Sequence, residues 1–349
     1  MQRLLILGTG DMAQTHARAF MDIPGCEIVA AVDRNPENLE KFCNQFGIET
    51  RFSDLADAIA WGEFDAAANV TPDPVHYPTT MQLIAAGKHV FCEKPLAESY
   101  PLAKEMADGI ADANLIGMVN LTYRNASAIQ HAHDLVRSGV IGAVRHFEAS
   151  YRQSWLVGNQ WGDWRTEERW LWRVSEEHGS LGVLGDVGIH ILDFATFAAD
   201  SDAKEVSCML KTFNKAPGDK IGDYPLTAND SAVMNVELEN GALGVVHASR
   251  FATGYTNTLR LIVHGDQGAV RVDLDQSWDH VDICRGANIH TQAWERIQAP
   301  KVKSNFYRFI DSLNQGLVQD PSFEKAAKLQ KVLDLCMESN ASGRSIKVS

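Results

Sequence analysis

Two short segments of the chain carry side chains that can hold or move a proton. Lys94 lies between Glu93 and Pro95, directly after the apolar residues 89–92. A lysine held in such a turn can donate a hydrogen bond to a hydroxyl or carbonyl oxygen and can stabilise an alkoxide. Since most lysines are simply solvated at the surface, position alone leaves both interpretations open.

The second segment contains Asp186, His190 and Asp193, spaced four and three residues apart. In a helix predicted over about 181–197, this spacing places the three side chains on one face. A carboxylate can there orient the imidazole, whose other nitrogen acts as acid or base toward a substrate hydroxyl. A histidine satisfied within the core fits the same spacing. So does a metal site, which we do not expect because no cysteine or second histidine lies nearby.

A glycine-rich turn follows the first apolar segment, residues 3–7. The pattern G-x-G-x-x-A places Gly8 at a tight turn, Gly10 where a pyrophosphate can approach the backbone, and Ala13 where helix and strand pack closely. The helix opens at Asp11 and Met12, and its N–H groups favour a bound diphosphate.

Asp33 ends the second predicted strand, 20 positions after Ala13. An acid at this distance is typical of a dinucleotide-binding strand–turn–helix–strand unit, in which it binds the ribose hydroxyls. The alternative is a surface glycine turn with an ordinary capping aspartate. A further candidate loop contains Thr71, Pro72 and His76 at the end of the fourth strand, although His76 could equally be a packing residue.

Strands and helices alternate up to about residue 122, which predicts an α/β domain with a doubly wound parallel sheet over 1–122. Residues 123–349 are predicted to form an α+β domain with a large open, mainly antiparallel sheet, because long alternating strands are joined by tight turns. Such a sheet buries one face, so we expect a homodimer or homotetramer through the other.

Composition excludes several classes of function. The 349-residue chain has a net charge of −13, which argues against nucleic-acid binding. An apolar run near the ~20 residues of a membrane span is missing from the sequence. The six cysteines are scattered without a C-x-x-C pair, which is typical of reduced thiols in a cytoplasmic protein.

Taken together, the Gly8–Ala13 turn, the Thr71–His76 loop, Glu93-Lys94-Pro95 and Asp186–His190 resemble the Gfo/Idh/MocA family of NAD(P)-dependent oxidoreductases. The resemblance spans nearly the whole chain. It implies a Rossmann domain, hydride transfer at a ring carbon of a sugar or cyclic polyol, and subunit contact through the second domain.

The resemblance also implies roles for individual residues. Lys94 would polarise the reacting oxygen, His190 would be the acid/base, and Asp186 would contact the substrate or His190. Tyr123 and Arg124 would lie near cofactor and substrate, and Glu93 near the cofactor.

Substrate contacts are further predicted in a segment over 155–177 that holds five tryptophans and three arginines. Aromatic faces stack on sugar rings and arginine binds hydroxyls or carboxylates, so Trp164 and Arg165 are the expected substrate residues. Some of these tryptophans could instead anchor the loop.

The leading hypothesis is thus an NAD-dependent dehydrogenase of a sugar, sugar derivative or inositol-like polyol, with Lys94 and His190 flanking the reacting carbon. One alternative is a glycosidase that keeps NAD bound and oxidises its substrate transiently. Another is a non-catalytic sensor of dinucleotide or sugar, which would need neither Lys94 nor His190.

Asp33 predicts NAD over NADP, because a carboxylate repels a 2′-phosphate, although Arg34 beside it could offer a phosphate contact. We expect Asp33→Ala to shift the preference toward NADP, measured as the ratio of kcat/KM with the two coenzymes. An unchanged ratio would contradict the role assigned to Asp33.

Overall fold

The computed structural model describes residues 1–348, which divide into two compact units. The first unit comprises residues 1–122 and 303–330, and the second comprises 123–302 and 331 onward. We expected one continuous second domain from 123 to 349, whereas the structure returns 303–330 to the first unit.

The elements, in chain order, begin with those of the first unit. The strands are β1 (Gln2–Leu7), β2 (Cys26–Val32), β3 (Thr50–Phe52), β4 (Ala66–Asn69), β5 (His89–Cys92) and β6 (Gly117–Val119). The helices between them are α1 (Asp11–Met21), α2 (Pro36–Phe46), α3 (Leu55–Trp61), α4 (Asp73–Ala85) and α5 (Tyr100–Asp112).

In the second unit, helices and strands do not alternate regularly as they do in the first. Its helices are α6 (Ser127–Arg137), α7 (Glu168–Leu171), α8 (Ile189–Ala198) and α9 (Asn288–Thr291). Its strands are β7 (Val144–Arg152), β8 (Ala203–Lys211), β9 (Lys220–Ile221), β10 (Tyr224–Pro225), β11 (Ser231–Leu238), β12 (Leu243–Ser249), β13 (Thr258–Gly265), β14 (Gly268–Asp273), β15 (His280–Arg285), β16 (Glu295–Gln298) and β17 (Ile346–Lys347). Two more helices lie near the end of the chain. Helix α10 (Asn305–Gln315) belongs to the first unit, and α11 (Phe323–Ser342) begins in the first unit and ends in the second.

The first unit contains a parallel six-stranded sheet in the order β3-β2-β1-β4-β5-β6. This order confirms the doubly wound prediction. The order reverses between β1 and β4, and ligands of open α/β sheets bind at the carboxyl ends of the strands beside such a reversal. The glycine turn after β1, the 71–76 loop after β4 and Lys94 after β5 all lie at this edge.

Aromatic packing explains why α10 belongs to the first unit. Its Phe306 and Phe309 enter the same buried cluster as Phe20 of α1 and Phe91 of β5. The Phe309 ring lies 5.3 Å from that of Phe91 and 6.4 Å from that of Phe20, centroid to centroid. The amphipathic pattern of residues 305–315 is therefore completed by a core far away in sequence, which local periodicity alone does not identify.

The second unit contains a nine-stranded sheet in the order β16-β15-β14-β13-β7-β12-β11-β8-β17. All its pairings are antiparallel except that of β7 with β12, which confirms the mainly antiparallel prediction. The prediction did not include β15, β16 and β17. Strands β16 and β17 have only four and two residues, and β16 is rich in charge. Nine of the ten residues of α8 are buried, so this helix lies at the centre of the unit.

One face of the nine-stranded sheet carries exposed apolar side chains. Met209, Val233 and Leu243 are 76%, 47% and 57% exposed on three neighbouring strands. A homodimer or homotetramer through this face stays a prediction. Among residues 1–348, no helix is both long enough and apolar enough to cross a bilayer.

We expect Phe309→Ala to lower the free energy of unfolding by about 3–5 kcal/mol, because it removes a fully buried ring and leaves a cavity. Tyr307→Ala is the matched control, since that side chain on the same helix is 36% exposed. Urea unfolding followed by circular dichroism measures both. Equal losses in the two variants would contradict the packing of α10 described above.

Candidate active site

The glycine turn of the first unit is built as its sequence predicts. Gly8 has a φ of +87°, and a Cβ added there would lie 2.8 Å from the carbonyl oxygen of Val70, so only glycine fits. Gly10 is the N-cap of α1 and has open space beside it. Ala13 is fully buried, whereas Asp11 and Met12 are exposed in the first turn of the helix. This uncovered helix end suits a pyrophosphate.

Asp33 is held in place by the same turn. Its Oδ2 accepts hydrogen bonds from the backbone N–H and the hydroxyl of Thr9, both at 2.7 Å, and its Oδ1 accepts one from the Asn35 N–H at 2.8 Å. These bonds use three of about four acceptor positions of a carboxylate. Its charge still disfavours a 2′-phosphate, and Arg34 is exposed next to it.

A cavity of about 240 Å³ adjoins this turn. It is lined by the start of α1 and by one side of α2, at Thr9, Gly10, Asp11, Gln14, Asn38, Lys41, Phe42 and Gln45. The glycine turn, the oriented Asp33 and this cavity together fit the adenosine diphosphate part of a dinucleotide.

His76 ties two loops together rather than presenting a ring to a ligand. The imidazole is fully buried. Its Nδ1 lies 2.7 Å from the carbonyl oxygen of Pro95 and its Nε2 2.8 Å from that of Thr71. Asn69, the last residue of β4, accepts a 2.7 Å hydrogen bond from the Thr71 hydroxyl. The Thr71-Pro72 loop is thereby fixed against the turn that contains Lys94.

Glu93 forms a buried polar network of the first unit. Its Oε1 lies 2.7 Å from His16 Nε2 of α1 and accepts a 2.7 Å hydrogen bond from Asn120 Nδ2, while its Oε2 accepts the Lys94 N–H at 3.2 Å. Burial by itself would raise the pKa of Glu93, but the bonds from His16 and Asn120 and the charge of Lys94 lower it to about 2. Glu93 is therefore an anionic anchor for the Lys94 backbone. His16 and Asn120 lacked any recognisable sequence signal.

The segment around His190 differs from the continuous α-helix that we predicted. Residues Leu184–Gly188 form one π-helical turn, and α8 begins only at Ile189. Such a turn changes the i, i+4 relation between Asp186 and His190, and π-turns are frequent at functional sites.

Asp186 binds two arginines. Its Oδ1 accepts a 3.2 Å hydrogen bond from Arg173 Nη1, and its Oδ2 accepts a 2.9 Å bond from Arg250 Nη2. Arg250 is completely buried. Asp186 thus neutralises a buried guanidinium, a role that the four-residue spacing to His190 did not reveal.

Arg124 and Asp193 form a buried bidentate ion pair, with N–O distances of 2.6 and 2.7 Å. The Arg124 guanidinium also stacks 3.5 Å from the ring centroid of Phe197. The expectation that Arg124 contacts a ligand is corrected, because its side chain is 1% exposed. Asp193 likewise serves Arg124 instead of completing an acid/base face with His190.

His190 lies against two tyrosines. Its ring is perpendicular to that of Tyr123 at a centroid distance of 5.0 Å, and 6.4 Å from that of Tyr151. The Tyr123 and Tyr151 hydroxyls are 2.5 Å apart, Tyr151 donates to Asn257 Oδ1 at 2.7 Å, and Asn257 Nδ2 donates to Tyr123 at 2.9 Å. Burial, followed by the neighbouring Tyr123, raises the pKa of Tyr151 well above its ordinary value. Tyr151 therefore stays a neutral hydroxyl in this hydrogen-bonded ring.

The tryptophan-rich segment packs mainly on itself. Trp164 is 1% exposed, its Nε1 donates to the Leu156 carbonyl oxygen, and it shares an apolar cluster with Trp155. The prediction that Trp164 faces the substrate is therefore corrected, because its ring is enclosed by the loop it anchors. Arg165 lies over that ring and its side chain is 49% exposed beside Asp163.

Comparison with known proteins identifies the family of this chain. Residues 2–121 match the model of an oxidoreductase family with an NAD-binding Rossmann fold, and residues 129–271 match the C-terminal domain of the same family. The chain belongs to the Gfo/Idh/MocA family. It is accordingly an oxidoreductase, and NAD is the cofactor of its Rossmann domain.

Several members of the Gfo/Idh/MocA family are similar along most of this chain. Levoglucosan dehydrogenase of Pseudarthrobacter phenanthrenivorans is 26% identical over 76% of this chain and 72% of its own length. Inositol 2-dehydrogenase of Rhizobium meliloti is 24% identical over 99% of both chains. A solved structure of levoglucosan dehydrogenase with NADH and levoglucosan superposes with a TM-score of 0.88 at 22% identity, covering 99% of both chains.

The low pKa of Glu93 has a direct consequence for stability. The pKa of Glu93 in the folded protein is about 2, below the ~4.3 of an unfolded glutamate. The ionised carboxylate therefore contributes fully to the free energy of unfolding above pH ~4.3, and this contribution is lost as the pH falls toward 2. We expect Glu93→Gln to cost on the order of 2–3 kcal/mol at pH 7. The difference from the unsubstituted protein should shrink between pH 5 and 3 in urea unfolding experiments.

Glu63→Gln is the control, because that carboxylate is exposed in an ion pair with Arg3. It should show a much smaller, salt-sensitive change. A Glu93→Gln difference that stays constant from pH 7 to pH 3 would contradict an ionised Glu93.

Proposed function

We propose that this chain is an NAD-dependent dehydrogenase that oxidises a ring hydroxyl of a sugar, a sugar derivative or an inositol-like polyol. The observation that carries the proposal is the fixed position of Lys94 directly after β5, where Glu93, His16 and Asn120 hold its backbone. The named activities of the similar proteins on levoglucosan and inositol support this class of substrate.

In the proposed mechanism, Lys94 donates a hydrogen bond to the hydroxyl that reacts. Its charge lowers the free energy of the alkoxide that forms as the proton leaves. His190 accepts that proton as general base. The nicotinamide of bound NAD supplies the hydride acceptor.

Other residues of the site would act by position. The Thr9–Asp33 bonds orient the ribose-binding carboxylate, and the uncovered start of α1 binds the pyrophosphate. Asp186 balances the charge of Arg250 and thereby holds the π-helical turn that precedes His190. Tyr123 and the exposed Arg165 remain the proposed substrate contacts.

Two other functions make different demands on the same residues. A glycosidase that oxidises its substrate transiently would release sugar without net NADH. A sensor would bind NAD or sugar without turnover, and it would have no chemical use for Lys94 or His190.

We expect the purified protein to form NADH with NAD and at least one compound from a panel of cyclic polyols and monosaccharides. Lys94→Ala and His190→Gln should each lower kcat/KM by about 10²–10⁴-fold, because each removes a group that acts on the transferred proton or on the oxygen. NADH fluorescence titration should show that coenzyme affinity changes little.

Lys104→Ala and His290→Gln are the matched controls, since Lys104 is an exposed lysine on α5 and His290 an exposed histidine on α9. Both should retain full activity. Undiminished turnover in Lys94→Ala would contradict the mechanism, and release of sugar without NADH would favour the glycosidase.

A further inference from the structure

We propose that Trp278 and Tyr123 form a stacking platform for the apolar face of the substrate ring, so that this enzyme selects cyclic over open-chain polyols. The inference deepens the proposed function and rests on it. It assigns ring recognition to a residue outside the tryptophan-rich segment.

Trp278 lies in the loop between β14 and β15, and 45% of its surface is exposed. Its ring centroid is 5.9 Å from that of Tyr123 at an interplanar angle of 45°. The ring of Tyr123 in turn contacts the ring of His190, perpendicular to it at a centroid distance of 5.0 Å. An exposed indole is thus one ring away from the proposed general base.

The backbone around Trp278 is held firmly. The Ala128 N–H donates to the Trp278 carbonyl oxygen at 2.9 Å, and the Ala299 N–H donates to that of Asp279 at 2.7 Å. The loop is thereby fixed to α6 and to the segment after β16. A platform benefits from this, because ordering a mobile loop on binding would cost affinity.

The chemistry around the platform matches a hydroxylated ring. The C–H groups on one face of a pyranose or cyclitol carry partial positive charge and are apolar, so they pack on the negative face of an aromatic ring. An open-chain polyol has no rigid face of this kind and gains less from the platform.

The other aromatic side chains near this unit's centre have different roles. Trp155 and Trp164 are buried. Trp161 and Trp170 stack on each other at 6.1 Å with an angle of 17°. Both of these rings belong to the folded tryptophan-rich segment, whereas 45% of the Trp278 surface is exposed.

The test compares Trp278→Leu and Trp278→Phe with Trp294→Leu as the matched control. Trp294 is a half-buried tryptophan of the same unit that packs on Arg271, between β15 and β16. Steady-state kinetics with NAD are measured on myo-inositol, D-glucose and levoglucosan as ring substrates and on D-sorbitol as the open-chain compound. Thermal unfolding of each variant verifies that it is folded.

We expect Trp278→Leu to raise KM for the best ring substrate about 10-fold while kcat changes less than about 3-fold, as the loss of one stacking contact implies. Trp278→Phe should retain most of the affinity, Trp294→Leu should behave as the unsubstituted protein, and any activity on D-sorbitol should be insensitive to Trp278. An unchanged KM in Trp278→Leu, or an equal rise for ring and open-chain substrates, would overturn the platform.

Failure of the proposed function can be distinguished from failure of the platform. If no compound yields NADH, saturation-transfer NMR of the NAD-loaded protein is recorded with the same three ring compounds. Transfer to ring-face protons that disappears in Trp278→Leu and persists in Trp294→Leu would support the platform even without turnover. Absence of transfer, or transfer that survives in Trp278→Leu, would overturn it.

Discussion

The buried carboxylate of Glu93 is the interaction on which the first unit's chemistry depends. It joins three elements that are distant in the chain: His16 in α1, the turn after β5, and Asn120 after β6. A buried carboxylate needs such partners, because an ionised group without them would be very costly to desolvate. Their number and geometry keep Glu93 ionised, and its ionised form in turn fixes the backbone of Lys94. The helix proposed to receive the pyrophosphate and the turn that carries Lys94 are thereby parts of one polar network.

The second unit contains buried positive charges that need partners. It buries two arginines, Arg124 and Arg250, and each requires a carboxylate in contact. Asp193 and Asp186 meet that requirement. His190 is consequently set among tyrosines, whose hydroxyls form a closed set of hydrogen bonds with Asn257. The proposed base therefore lies beside two aromatic rings, and the two acids nearest to it in sequence are bonded to arginines.

The proposed oxidation of a polyol draws on both arrangements. One unit provides a coenzyme site and a cation held at a defined position after β5. The other provides an imidazole next to hydroxyl, amide and aromatic groups. Family membership assigns the oxidoreductase class and NAD, while the proposed substrate depends on the side chains around His190 and Trp278.

The elements of the first unit were predictable because each one is encoded locally. Gly8 is required by a positive φ and by the closeness of Val70, and Asp33 ends a strand at the distance the turn demands. Similarly, the long alternating strands of the second unit each bury one face, so their pattern survives in the sequence. Short or charged strands such as β16 carry too few alternating residues to be recognised.

The sequence by itself therefore determined the order of the elements, the glycine turn, and which residues are chemically able to act. Only the tertiary structure decided how they are used. Asp186 and Asp193 are recruited by arginines 64 and 69 residues away, α10 joins the first unit through its phenylalanines, and Trp164 turns inward while Trp278 faces solvent. Turn types and hydrophobic periodicity depend on residues that are neighbours in sequence, so they can be recognised from the sequence. The partner of a buried charge or ring is whichever residue the fold brings into contact with it, and the spacing along the chain does not identify that residue.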